Sequence, residues 1–169
     1  MRIRCRLALL LVSACQTANS SPAPQASAPL GATALRKSAA DELDQLDSRK
    51  PVPLLPMMAE HQKHNMRDHL AAVQEIVAAL GSGDFSQVTQ SARRMGYSEA
   101  MGQMCKHMGS GAPGFAEQAL TFHHAADRIA DAAEKNDSTA VLATLAATLA
   151  TCTACHTAYK QKLVDNLRE

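Results

Sequence analysis

Cys152-Thr153-Ala154-Cys155-His156, close to the C-terminus, ends an apolar stripe of Val141, Leu145, Thr148 and Leu149 that recurs with helical spacing. Residues at i, i+3 and i+4 project from one face of a helix, so both thiols and the imidazole share that face. C-x-x-C-H is the pattern by which one c-type haem is held covalently. Two thiolates add to the porphyrin vinyl groups, and the adjacent histidine rises to the iron as an axial ligand. The residues after the motif, Thr157 to Glu169, include neither Met nor His. A second axial ligand must therefore come from upstream, which predicts a helical bundle with haem on its last helix.

Working back from the motif, the segments before it also read as helices. Asn136-Asp137-Ser138 supplies the turn and N-cap of the last one, predicted to run on to the C-terminus. Phe115 to Lys135 carries Phe115, Ala119, Phe122, Ala126, Ile129 and Ala133 on one stripe, after the loop Gly109-Ser110-Gly111-Ala112-Pro113-Gly114. Asp84 caps a second helix that breaks at Gly96 and resumes to about His107. Met57 to Leu80, with Met66, Leu70, Val73, Val77 and Leu80 in register, ends at Gly81-Ser82-Gly83. Short links imply antiparallel neighbours, so the expected fold is all-α, an up-down-up-down four-helix bundle over residues 52–169.

The chain has 169 residues, 46% hydrophobic but 3% aromatic, a composition better suited to helices than to a β-sandwich. A net charge of +1 gives no reason to expect a nucleic-acid partner. The N-terminus reads Met-Arg-Ile-Arg-Cys-Arg, then an apolar run from Leu7 to Ala14, then Cys15. A basic region followed by a short apolar one is a secretory signal, too short for a permanent membrane span. Val12-Ser13-Ala14-Cys15 resembles the bacterial lipobox. Residues 1–14 are therefore expected to be cleaved and Cys15 lipidated, and Gln16 lacks the aspartate that favours inner-membrane retention. Residues 15–51, rich in Ser, Ala, Pro and Gln, read as a disordered tether. The expected location is the periplasm, with the domain tethered to the outer membrane through the lipid anchor. Export agrees with C-x-x-C-H, because bacterial thioether formation takes place outside the cytoplasm.

Of the remaining cysteines, Cys5 lies in the leader and Cys105 has no evident partner. A thioredoxin-type C-x-x-C starts a helix after a strand, whereas this one lies deep in a helix. A zinc lipoprotein using Cys105, His107, Cys152 and Cys155 has four legitimate ligands, but leaves His156 without a role. Cys105, His107 and Met108 also form a patch of soft-metal ligand types, although core packing accounts for Met104, Cys105 and Met108 equally well.

Cys152-Thr-Ala-Cys155-His156-Thr-Ala-Tyr159-Lys160 resembles the cytochrome c′ and cytochrome c-556 family, four-helix bundles whose last helix ends in C-x-x-C-H-x-x-Y-[RK]. The resemblance implies a monohaem electron-transfer protein rather than an enzyme, with redox proteins of the periplasm as partners and homodimerisation possible. It puts Lys160 beside the haem histidine and Tyr159 near the haem. It also draws attention to the sixth iron position. A methionine there, for which Met66 is the candidate, suits outer-sphere electron transfer, with His69, His64 and Met58 as alternatives. An apolar residue there leaves a five-coordinate iron that binds nitric oxide or other small gases. The segment from Met104 to Met108, the histidines of the first helix and the pair His123-His124 depart from the family pattern.

Overall fold

The computed structural model describes residue 39 and residues 41–167; the leader and Cys15 lie outside the described residues. The chain divides into two units, Met1–Gln45 and Leu46–Glu169. Residues 41–46 are helical. All that follows concerns the second unit, which is mostly helical.

Strand β1 (Lys50–Leu54) leads into helix α1 (Pro56–Ser82), followed by α2 (Phe85–Met95), α3 (Glu99–Met108), α4 (Phe115–Ala133), α5 (Ser138–Ala158) and strand β2 (Tyr159–Leu163). Pro56 stands in the first turn of α1, where its fixed φ suits the helix and its missing N–H costs nothing. Gly83, at φ 75, closes that helix by donating its N–H to Ala79 and Leu80. The helix therefore runs through Gly81 and Ser82 before it stops. Carboxylates and a hydroxyl cap three of the four helices that follow: Asp84 accepts from Gln87 N–H, Ser98 from Met101 N–H and Asp137 from Ala140 N–H. The expected break at Gly96 is present, and a Cβ there would collide with the Asp127 carboxylate, which accepts the Tyr97 N–H at 3.1 Å.

Helix α4 is central, packing against α2 and α5 and carrying α3, while α1 packs along α2. The main core gathers Ile76 of α1, Val88 and Met95 of α2, Phe122 and Ile129 of α4, and Val141 and Leu145 of α5. A second, smaller core at the end where α1 begins and α5 finishes holds Val52, Leu54, Ala59, Met108, Phe115 and Tyr159.

Two features differ from the sequence reading. The last helix stops at Ala158, and β2 pairs in parallel with β1, Val52 opposite Gln161. Tyr159 turns inward, its ring edge-on to Phe115 and its hydroxyl donating to the Pro113 carbonyl at 3.0 Å. Beyond it, Lys160 to Leu163 lacks an apolar helical stripe to hold another turn on the core. Residues 50 and 51, read as the end of the tether, belong to β1, whose Val52 and Leu54 are sealed in the second core. The second difference concerns closure. Helices α1 and α5 contribute to one core but do not pack along their lengths among the described residues.

Candidate functional site

Helix α5 is 21 residues long and apolar enough, by length and composition, to cross a membrane. Yet Val141, Leu145 and Thr148 are its only buried residues, while Leu142 and Leu149 stand exposed on its flank. Helix α1 leaves Leu70 and Val77 uncovered as well. The helix carrying the motif thus has more apolar surface than the protein covers.

Cys152, Cys155 and His156 stand together in the last two turns of α5, the two cysteines half-buried and the histidine exposed. Both cysteines are free thiols, and Cys152 Sγ lies 3.6 Å from the Thr148 carbonyl. Burial pushes both thiols up from their ordinary pKa, and at Cys155 the neighbouring Cys152 adds to the effect. The negative end of the helix dipole disfavours thiolate in the same place. A redox-active C-x-x-C needs the opposite environment, a helix N-terminus that lowers the thiol pKa. Cys152 packs against the main core and Cys155 against the second, so the motif bridges the two.

The chain end is fastened beneath the motif. Arg49 donates to the main-chain carbonyl of His156 at 3.2 Å, placing a cation at the C-terminus of α5 where it suits the dipole. Arg49 is itself held by Asp47 at 2.7 Å. Lys160 donates to the Asp47 carbonyl at 3.0 Å and lies 3.9 Å from its carboxylate. This lysine is therefore tied to the segment before β1. Tyr159 is buried under Lys50, whose ammonium sits 5.8 Å from the ring centre.

These residues suit a covalently held haem. Two reduced thiols and an imidazole project near a long apolar flank on which a flat porphyrin would bury surface. Met66 is placed elsewhere. It lines a cavity of about 40 Å³ whose other walls come from α3 and α4, and no residue of α5 lines it. That volume is far below the several hundred Å³ of a typical cofactor site, so a porphyrin does not fit there. The methionine at the depth of the motif is Met58, which packs on the same small core as Cys155 and Ala158.

The four residues of the zinc alternative are not brought together. Cys105 lines the small cavity, His107 is exposed, and the other two thiols lie on α5. Among the described residues no three of His, Cys, Asp and Glu form a metal-holding group. His64 is exposed and 3.2 Å from Asp68. Of the pair on α4, His124 stacks on Tyr97 at 4.7 Å, whereas His123 is 3% exposed and binds the Met95 carbonyl through Nδ1 at 2.7 Å. Sequence spacing gave no reason to single out His123; its role emerges only when α1 and α3 fold over it. No family model matches the chain, and no curated protein or solved structure matches it.

Proposed function

We propose that this protein is an exported monohaem c-type cytochrome that passes single electrons. The observation that carries the reading is the free Cys152 and Cys155 thiols beside His156, next to the uncovered apolar flank of α5. When bound, the haem iron supplies the one-electron redox chemistry. The chain's own part is to attach, orient and partly bury it. Cys152 and Cys155 are the covalent anchors, and His156 is the proximal ligand, its backbone fixed by Arg49. Helices α1, α2, α4 and α5 form the up-down-up-down bundle of the cytochrome c′ class, and α3 is an accessory helix laid on α4. Cys15 carries the lipid that tethers the domain to the outer membrane, with redox proteins of the periplasm as partners.

For the sixth position Met58 has better support than Met66, because it packs on the same small core as Cys155 whereas Met66 lines a cavity with no wall from α5. A thioether ligand favours ferrous iron and raises the potential, as electron transfer requires. Visible spectra of the oxidised and reduced protein, with and without carbon monoxide, test the reading. A low-spin ferric spectrum with a sulfur-to-iron band, unresponsive to carbon monoxide on reduction, is expected. A high-spin spectrum with rapid carbon monoxide binding would instead mean an open site, and a gas-binding protein.

A further inference from the structure

The small cavity between α1, α3 and α4 has an unusual lining. Met66, Met101, Met104 and Met108 line it with Cys105 and the imidazoles of His69 and His123, and the amides of Gln62 and Asn65 also border it. No carboxylate lines it. Its volume of about 40 Å³ exceeds what one water needs, and is of ion size rather than cofactor size.

His123 is the informative member. A carbonyl oxygen can only accept, so Nδ1, 2.7 Å from Met95 O, carries the proton. In the neutral ring Nε2 then holds a free lone pair. Every sealed side-chain nitrogen and oxygen among the described residues has a hydrogen-bond partner. Nε2 of His123 has none among them, so it opens onto accessible space, which is the cavity this residue lines. A ring with one nitrogen bonded to a backbone carbonyl and the other bare is the arrangement that orients metal-binding histidines. His69 stands edge-on to it, ring centres 5.5 Å apart.

We infer that this cavity binds a single Cu(I) ion through thioether sulfurs, with imidazole nitrogen from His123. Donor softness selects the metal: thioethers hold Cu(I) and do not compete for hard cations such as Mg²⁺ or Ca²⁺. Zinc sites use thiolates, imidazoles or carboxylates. Here carboxylates are absent from the lining, and thioethers outnumber every other donor type. A monovalent ion also carries the smallest desolvation cost into a site without a counter-charge. Met66 and Met104, 43% and 37% exposed, form the rim by which it enters. The site is separate from the haem motif, since no residue of α5 contributes to it.

The experiment is an anaerobic titration of the full-length protein with Cu(I), in competition with a chromophoric Cu(I) chelator. Haem-loaded wild type, whose two α5 thiols are consumed by the porphyrin, and a haem-free Cys152→Ala/Cys155→Ala variant should each bind one equivalent, which separates this site from the C-x-x-C pair and from haem. Met66→Leu/Met104→Leu, which keeps the apolar volume at partly exposed positions, should weaken binding at least tenfold with an unchanged helical circular dichroism spectrum. X-ray absorption of the bound ion should show sulfur and nitrogen neighbours. Absence of binding in wild type would overturn the inference. So would binding lost in the cysteine variant, or affinity unaltered in the methionine variant.

Discussion

At the scale of single residues, the sharpest contrast is between Met58 and Met66. In protein carrying haem, Met58→Ala should convert the ferric spectrum to high-spin and admit carbon monoxide on reduction, while Met66→Ala should leave the spectrum as it was. The same pair read by Cu(I) affinity should respond in the opposite order. His69 gives a pH prediction. Its folded pKa, lowered mainly by burial to about 4, lies below the 6.5 of an unperturbed histidine. The unfolded chain therefore binds the proton more readily, and stability rises with pH across that interval. This contribution is fully present above about pH 6.5 and is lost as pH falls toward 4. His123, shifted the same way by burial, adds to it. Denaturant midpoints measured between pH 7 and pH 4 should fall, and His69→Asn should flatten the decline; an equally steep decline in that variant would refute the assignment.

At the scale of elements, β1 is the test of what belongs to the fold. Leu54 is sealed in the second core, so Leu54→Ala should cost about 2–5 kcal/mol of unfolding free energy, measured by urea denaturation. A change under about 0.5 kcal/mol, the usual range for surface substitutions, would return this segment to the tether. Asp137→Ala, removing the cap on Ala140 N–H, should cost about 1 kcal/mol. The helices were legible in the sequence because caps and stops are local chemistry: Asp84, Gly96, Gly114 and Asp137 each act on residues within a turn. The apolar stripes of α4 and α5 were legible for the same reason. Strands β1 and β2 were not. A short stretch with Pro51 and Pro53 reads as a linker, and its partner lies more than a hundred residues away, a pairing that no local pattern encodes. Proline fits there because β1 is an edge strand, where a missing N–H forfeits little.

At the scale of the whole molecule, the candidate haem residues were legible because C-x-x-C-H is contiguous, whereas anything depending on how helices meet was not. The depth of Met66 against His156 was such a case. The chain enters through β1 and leaves through β2 at one end, so Met58 comes level with Cys155 and Met66 lies about two helical turns further along α1. Met101, Met104, Cys105 and Met108 are close in sequence and could be read as a soft-metal patch, but Met66, His69 and His123 join them only by folding. Whole-molecule behaviour also carries the anchoring prediction. Cys15→Ser should release the domain into the soluble periplasmic fraction or leave its precursor uncleaved, as followed by membrane fractionation and by the mass of the N-terminal peptide. An unchanged membrane-bound, processed form would rule out lipidation at Cys15.

The central claim is covalent haem on α5. Protein produced in a periplasm equipped for haem maturation should keep one haem per chain through denaturing electrophoresis, seen by peroxidase stain and intact mass. Cys152→Ala/Cys155→Ala should lose that mass and stain. A wild-type chain of unmodified mass and no stain, made beside a control cytochrome matured in the same cells, would contradict the account.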